Sequence, residues 1–204
     1  MKLIGLTGPA GAGKDTLAGM ILDHVSGHSV AFADPLRHAA AAMFGLTMDQ
    51  MLDRDLKEKV IPRWGKSPRE ILQLLGTEGG RDLFGNDFWC KRAQITLDQI
   101  VALDKREHTA ADVCIFTDCR FEDEAAWIKA RGGVVIEIRR QAAIPVGIAG
   151  HRSAAPLPAH VPDWTVYNDG SMDDLRALVS RSVSGWLDDA QHLHELAKNA
   201  LRVA

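Results

Sequence analysis

A glycine-rich segment near the amino terminus constrains this chain more than any other part of its sequence. An apolar run at residues 2–6 predicts a buried strand, and residues 8–14 follow it with the sequence Gly-Pro-Ala-Gly-Ala-Gly-Lys. An amphipathic stretch from Lys14 to about His24 predicts a helix directly after the glycines. Strand, glycine loop and helix in this order are typical of a nucleotide-binding βα unit.

The loop has the composition that polyphosphate binding needs. Glycines allow successive backbone N–H groups to turn toward the phosphates, and the helix amino terminus adds its positive end. Lys14 is predicted to reach the β- and γ-phosphates and to take part in catalysis. The alternative is a glycine turn that only closes a βα unit. The predicted ATP-binding residues are Gly8, Ala10, Gly11, Ala12, Gly13, Lys14, Asp15 and Thr16.

One position departs from the usual phosphate loop. The Ser or Thr that normally follows the lysine and helps to hold Mg²⁺ is Asp15, and Thr16 comes one residue later. A carboxylate could hold Mg²⁺ directly or through water, or the Thr16 hydroxyl could do so. Asp15 and Thr16 are therefore both predicted metal ligands, and the sequence does not choose between them. Asp118 is a third predicted ligand, because it ends an apolar strand at the carboxyl edge of the predicted sheet.

The rest of the chain alternates strands with helices. Strands are predicted at residues 30–33, 113–117, 134–138 and 164–167. Helices are predicted at 34–44, 67–75, 88–107, 122–131 and 172–201, the last with a break near Gly185. At residues 45–67 the apolar side chains show no clear helix or strand periodicity. This rhythm predicts an α/β fold with three layers, in which helices cover both faces of a mostly parallel sheet of about five strands.

Composition excludes several classes of protein. The chain has 204 residues, a net charge of −3 and 25% charged residues, which is typical of one globular domain and gives no general affinity for nucleic acid or anionic membranes. No apolar run is long enough to span a bilayer, and the amino terminus resembles a first strand more than a signal peptide. Three cysteines predict a reducing, cytoplasmic location, and the eight histidines lack the spacing of a zinc site.

The chain resembles the phage-type deoxynucleoside monophosphate kinases. Its phosphate loop ends in Gly-Lys-Asp-Thr, as the loop does in that family. Further segments resemble the family in the same order, namely residues 32–37, 69–78, 89, 117–124, 132–133, 139–140, 151–153 and 167–171. The matched segments extend from residue 2 to about residue 180. One departure is Ala154, where the family usually carries an acid after the lid histidine motif.

The resemblance implies a P-loop kinase that transfers a phosphoryl group from ATP, with Mg²⁺, to a deoxynucleoside 5′-monophosphate. It implies one domain over residues 1–204, a helical acceptor-binding lobe at about 45–90 and a lid at about 140–160. It is also compatible with a homodimer. Alternatives are another P-loop small-molecule kinase, similar to phosphomevalonate or dephospho-coenzyme A kinases, or a nucleotide-binding module without catalysis.

Two anionic substrates require cations at the acceptor site and at the point of transfer. By resemblance, the predicted substrate-binding residues are Asp34, Arg37, Arg69, Gln73, Thr77, Arg81, Trp89, Asp118 and Arg120, and Arg140 and Arg152 join Lys14 as catalytic residues. Each has an ordinary alternative. The arginines could be solvated surface charges, Asp34 and Asp118 could cap helices, Gln73 and Thr77 could lie on a solvated helix face, and Trp89 could fill core.

Overall fold

Five parallel strands form the centre of the computed structural model, which describes residues 1–141, 148 and 150–202, with backbone only for 189–202. The strands are β1 (Lys2–Thr7), β2 (Gly27–Val30), β3 (Val113–Phe116), β4 (Val134–Arg139) and β5 (Trp164–Tyr167). Their order in the sheet is β2-β3-β1-β4-β5, and every neighbouring pair is parallel. This confirms the predicted α/β class and places the carboxyl ends of all five strands at one edge.

Alternate residues of the central strands supply two separate cores. In β1, Ile4 and Leu6 pack on one face together with helices α1 (Lys14–Leu22) and α8 (Met172–Arg202). Leu3 points to the other face, toward α6 (Phe88–Glu107) and α7 (Glu122–Lys129). Because both faces are covered, these strands are apolar throughout instead of alternating with polar residues.

The remaining helices form a third, smaller cluster beside the carboxyl edge of the sheet. They are α2 (Asp34–Phe44), α3 (Met48–Leu52), α4 (Pro68–Gly76) and α5 (Asp82–Phe84), with a 3₁₀ turn at Leu56–Glu58 and a π turn at Thr77–Arg81. Met51 and Ile71 are buried between them. Ser67 caps α4, since its hydroxyl accepts from the Glu70 N–H while Glu70 Oε2 accepts from the Ser67 N–H at 2.7 Å.

The structure differs from the predicted elements in several places. Residues 45–67, predicted without regular structure, contain α3 and the 3₁₀ turn, and the helix predicted at 122–131 ends at Lys129. Strand β2 ends at Val30, where the sequence predicts its beginning. The apolar Phe32 is buried, but it lies in the turn that leads to α2, so its burial does not reflect a strand. Helix α8 continues through Gly185 without a break, because Val183 and Trp186 on either side are held in the core.

The structure also shows the state of the cysteines and whether the described residues contain a membrane-spanning helix or a metal-binding cluster. Cys90, Cys114 and Cys119 are buried and form no disulfide. Across the described residues, no helix combines the length and the apolar character that crossing a bilayer requires. The described residues also contain no group of three or more His, Cys, Asp or Glu side chains placed to hold a metal ion.

Candidate active site

The phosphate loop between β1 and α1 owes its shape to three glycines. Gly8, Gly11 and Gly13 have φ angles of 135°, 76° and 103°, which side chains rarely adopt. A Cβ on Gly8 would lie 2.1 Å from the carbonyl oxygen of Ile138 in β4. The loop therefore lies directly against the neighbouring strand, and no larger residue fits at its first position.

Lys14 lies across this loop at the start of α1. Its ammonium group donates to the carbonyl oxygens of Gly8 and Pro9, both at 2.8 Å. Burial, together with the charge of Arg120, lowers its pKa from 10.5 to about 8, while Asp15 and Asp118 act in the opposite direction. The charges around Lys14 thus belong to both the loop and the cleft described below.

A residue beyond the last strand holds the loop from the other side. The side-chain amide of Asn168 is buried and donates to the carbonyl oxygen of Ala12 at 2.8 Å. A Cβ on Gly13 would lie 2.6 Å from the same amide nitrogen. The loop is therefore fixed between β4 and the segment that follows β5.

A cleft of about 660 Å³, counting space open to solvent, is lined by Arg69, Asp118 and Arg120, whose charges all act on Lys14. Seven of the nine predicted substrate-binding residues line it, namely Arg37, Arg69, Gln73, Thr77, Trp89, Asp118 and Arg120. They come from α2, α4, the π turn, α6 and the loop after β3. The fold thus brings together side chains that are far apart in sequence.

The three arginines of the cleft are each held by one partner. Arg37 and Arg69 form close ion pairs with Asp34 and Glu58, respectively. Arg120 donates from Nη1 to the carbonyl oxygen of Ser153 at 3.1 Å. The buried Nε of Arg37 has no hydrogen-bond partner within the described part of the chain. Donors therefore remain for an anion in the cleft, since a guanidinium group carries five N–H bonds.

Asp118 orients the backbone on the opposite wall. Its carboxylate accepts from the N–H groups of Phe32 at 2.7 Å and Ala33 at 3.1 Å. It does not cap α7, because Glu124 takes that role by accepting from the N–H groups of Arg120 and Phe121 at 2.7 and 3.1 Å. Asp34 accepts from the Ala31 N–H at 2.7 Å and does not line the cleft.

Arg81 lies behind the cleft instead of lining it. Its side chain is 3% exposed and donates to Asp123 Oδ2 at 2.7 Å and to Glu124 Oε1 at 2.5 Å. Its guanidinium carbon also lies 3.7 Å from the centre of the Phe121 ring. Burial raises the pKa of Glu124 to about 7, although Arg81 favours the charged form. Arg81 is thus placed to support the cleft wall.

The remaining cleft residues combine polar and apolar contacts. Gln73 Oε1 accepts from the Ile148 N–H at 2.9 Å, which joins α4 to the predicted lid segment. The Trp89 ring lines the cleft, packs against both neighbouring cores and donates from Nε1 to the Gly76 carbonyl oxygen at 2.7 Å. Trp89 therefore packs against the core, as one alternative predicted, and its contact with a substrate stays a prediction.

The predicted catalytic arginines Arg140 and Arg152 lie outside the lining of the cleft. Arg140 is exposed directly after β4, and Arg152 donates to Asp82 Oδ1 at 2.6 Å on the surface. Beside Arg152, His151 Nε2 lies 3.3 Å from Glu78 Oε1. The predicted lid at 140–160 includes residues 142–147 and 149, which lie outside the described residues.

Sequence reasoning missed several side chains of the cleft. Phe121 and Glu124 lie inside a matched segment but were given no role, and Lys57 lies in the stretch without periodicity. Glu124 had a detectable signal, because a carboxylate three residues after a loop position is half of a capping box. Lys57 had none, since a lysine among other charges is most often solvated.

Comparisons with known proteins agree with this geometry. The family model "Deoxynucleotide monophosphate kinase" matches residues 56–179. The chain is 33% identical over 149 residues, covering 69% of this chain and 75% of the relative, to a protein of Acanthamoeba polyphaga mimivirus called putative deoxynucleotide monophosphate kinase. It is 26% identical over 187 residues, covering 62% and 71%, to deoxynucleoside-5′-monophosphate kinase of Escherichia phage T5.

The matched region begins at the turn before α4 and ends within α8, so it contains most of the cleft. The phosphate loop at residues 8–14 lies outside that region. Fold, cleft and comparisons therefore agree on one kind of enzyme: the chain belongs to the deoxynucleotide monophosphate kinase family and is a deoxynucleoside monophosphate kinase.

Proposed function

We propose that the chain transfers the γ-phosphoryl group of ATP, with Mg²⁺, to the 5′-phosphate of a deoxynucleoside monophosphate. An oxygen of the acceptor phosphate forms a bond to the γ-phosphorus while the bond to the bridging oxygen of ADP breaks, which gives ADP and the diphosphate. The observation that carries this proposal is the arginine-lined cleft, where the charges of Arg120, Asp118 and Arg69 act on Lys14 of the phosphate loop. Such a transfer depends on alignment and on cations more than on covalent help.

The two substrates occupy different parts of the site in this proposal. ATP binds along residues 8–16, where the loop N–H groups and Lys14 contact its phosphates. The acceptor phosphate binds to Arg37, Arg69 and Arg120. Gln73, Thr77 and Trp89 are left for the nucleoside, because they line the same cleft with one flat ring and two polar groups.

The residues near Lys14 fit a Mg²⁺ ion. Asp15 and Asp118 both act on the Lys14 pKa, so two carboxylates lie near the point of transfer, and Thr16 adds a hydroxyl on the first turn of α1. Mg²⁺ prefers oxygen ligands and usually keeps several waters beside one or two carboxylates. When bound, it neutralises charge on the phosphate oxygens.

We assign the helical cluster within residues 45–90 to the acceptor lobe and residues 140–160 to the lid of a single domain spanning 1–204. Hydrogen bonds from Ile148 to Gln73 and from Arg120 to Ser153 support a lid that closes over the acceptor. Arg140 and Arg152 would reach the transferring group only after the lid moves, because Arg152 now contacts Asp82. A homodimer and a cytoplasmic location complete the proposal.

An ADP-release assay tests this assignment. Purified protein with ATP and Mg²⁺ is offered each common deoxy- and ribonucleoside monophosphate, and separately mevalonate 5-phosphate and dephospho-coenzyme A. We expect turnover with at least one deoxynucleotide. Turnover with only one of the other two acceptors, or silence with every acceptor from protein that still binds ATP, contradicts the proposal.

Arg120→Ala tests the acceptor side. Loss of a charge-assisted hydrogen bond should raise the KM for the deoxynucleotide by about 10- to 100-fold and leave the KM for ATP within about threefold. Arg106→Ala is the matched control, since that side chain is 74% exposed on α6. A rise in the KM for ATP alone would show that Arg120 belongs to the donor side.

A further inference from the structure

The turn at Leu56–Glu58 presents a lysine to the cleft without giving it a partner. Lys57 lines the cleft among the arginines. Among the described residues, no acceptor lies within hydrogen-bond or ion-pair distance of its ammonium group. Its neighbours on the turn differ, since Glu58 pairs with Arg69 and Lys59 is exposed. An unpaired, partly buried ammonium group is costly unless a ligand supplies the anion.

The charges that face Lys57 are mostly positive. Arg69, Arg37 and Arg120 surround it from α4, α2 and the loop after β3, and Asp118 is the carboxylate that opposes them. Burial and these arginines lower the pKa of Lys57 from 10.5 to about 8. Arg37 and Arg69 already have the carboxylate partners Asp34 and Glu58. The Arg120 side chain, by contrast, donates to the neutral carbonyl oxygen of Ser153, so Arg120 and Lys57 are the two cations whose charge an anion in the cleft would offset.

The same segment also approaches the donor loop. Arg54 precedes Lys57 by three residues, and a Cβ built on Gly11 would lie 3.5 Å from Arg54 Nη2. The Arg54 guanidinium group therefore lies over the phosphate loop. No hydrogen-bond or ion-pair partner holds it among the described residues. One short turn thus carries one free cation toward each substrate.

Local hydrogen bonds hold this turn in place. Asp53 Oδ1 accepts from the N–H groups of Asp55 and Leu56 at 2.9 and 2.8 Å, which fixes the chain between Arg54 and Lys57. The Glu58–Arg69 ion pair anchors the other end to α4. The backbone that carries the two cations is therefore ordered before any substrate binds, which lowers the entropic cost of using them.

We propose that residues 53–58 form a cationic bridge, in which Lys57 binds the acceptor phosphate and Arg54 binds the phosphates of ATP. This inference rests on the proposed function, since it assigns two more residues to the same transfer. The bridge offsets the repulsion between two polyanions that must come into contact. Neither residue forms a covalent bond, and the attacking group remains the acceptor phosphate oxygen.

The bridge predicts separate effects for its two residues. Lys57→Met should lower kcat/KM for the deoxynucleotide by about 10- to 100-fold and weaken deoxynucleotide binding without ATP, with the KM for ATP within about threefold. Arg54→Met should raise the KM for ATP by about 3- to 30-fold and leave deoxynucleotide binding unchanged. Lys57→Arg, which keeps the charge, should recover most of the loss.

The experiment combines steady-state kinetics with titration calorimetry of the deoxynucleotide in the absence of ATP. Lys59→Met is the matched control, because Lys59 is exposed on the same segment. The thermal midpoint of Lys57→Met should equal or exceed that of the wild type, since removing a repelled charge does not weaken folding. A lower midpoint with unchanged deoxynucleotide binding would show a structural role and overturn the proposal.

The outcomes separate this inference from the function on which it rests. If the wild type turns over deoxynucleotides and Lys57→Met matches it within twofold, the acceptor half of the bridge is wrong and the kinase assignment stands. If Arg54→Met leaves the KM for ATP unchanged, the donor half is wrong. If the wild type neither binds nor phosphorylates any deoxynucleotide, the proposed function fails first, and the bridge fails with it.

Discussion

The two halves of the proposed active site differ in the groups that form them, which are backbone groups in one half and side chains in the other. In the proposed arrangement, the donor half is a run of six consecutive residues, 8–13, whose backbone groups would contact the phosphates of ATP. The acceptor half is a set of side chains from α2, α4, α6 and the loops between them. One continuous segment supplies the groups of the loop, although β4 and Asn168 hold it in place, whereas several distant segments supply the side chains of the cleft. The donor half should therefore be sensitive to added atoms, and the acceptor half to lost partners.

The largest effect is expected at Gly8. A Cβ there would lie 2.1 Å from the Ile138 carbonyl oxygen, at a φ of 135°, so Gly8→Ala must move the loop or β4. We expect ATP-dependent turnover to fall more than about 100-fold, because misplaced groups in a transfer site are costly. Gly19→Ala is the control, since nothing lies within 4 Å of its Cβ. Normal turnover by Gly8→Ala would contradict the idea that the backbone conformation of the loop determines the geometry of the donor half.

In the acceptor half, the largest effect is expected at the buried ion pair between Arg81 and Glu124, which lies behind the cleft. Arg81→Met leaves the buried Glu124 carboxylate without its cation and should cost about 3–5 kcal/mol in the free energy of unfolding at pH 8, measured with urea. The loss should shrink below pH 7, because Glu124, with a pKa near 7, takes up a proton there. Arg106→Met is the exposed control. A cost under about 1 kcal/mol at pH 8 would mean that the pair does not hold the cleft wall.

Asn168→Asp should affect the donor half through a single hydrogen bond. The carboxylate cannot donate to the Ala12 carbonyl oxygen, so we expect a loss of about 1–3 kcal/mol in stability and a several-fold weaker binding of ATP. Calorimetry with ATP and with the deoxynucleotide separates the two halves. If Asn168→Asp weakened the binding of ATP and of the deoxynucleotide equally, the two halves would be coupled through the loop.

The smallest predicted effect is a pH dependence of the acceptor half. Lys57, with a pKa near 8, loses its charge above that pH while facing Arg37, Arg69, Arg120 and Asp118. If binding requires the ammonium form, deoxynucleotide affinity should fall about fivefold between about pH 8 and about pH 9. Binding near pH 8 should also take up protons, which calorimetry in two buffers measures. Lys57→Met should remove both effects.

The lysine also has a defined effect on folding. Its pKa is lower in the native protein than in the unfolded chain, where it is near 10.5. Between about pH 8 and 10.5 the unfolded chain therefore binds more protons, so this group raises the free energy of unfolding as the pH rises. The Lys57→Met variant should lack this contribution in a urea series across that range.

Local signals explain what the sequence could predict. The phosphate loop, the Ser67 cap and the helix at 88–107 depend on neighbouring residues, and the fold follows from their alternation with buried strands. The sequence prediction misplaced β2 because Phe32 is apolar without belonging to a strand. Its side chain packs in the core from a turn that Asp118 holds. Burial alone does not distinguish a strand from a buried turn.

The cleft was predictable only through resemblance. Arg69 and Gln73 were identified because a matched segment contains them, whereas Lys57 lies where no pattern distinguishes one charge from another. Arg81 shows the converse, since a buried ion pair and a ligand contact both use an arginine and only the packing of α7 decides between them. The sequence alone does not show which side chains from distant segments meet in the folded protein.

The hydrogen bond from Asn168 to Ala12 also bears on how the molecule is made. Its two residues are 156 positions apart, and the loop additionally lies against Ile138 of β4. A chain leaving the ribosome therefore carries the complete loop sequence long before the loop has its native surroundings. Contacts so distant in sequence form late, because a long segment must first be ordered. If ATP binds this loop as proposed, it would stabilise only molecules whose edge strand has docked, and it would favour finished chains over partly synthesised ones.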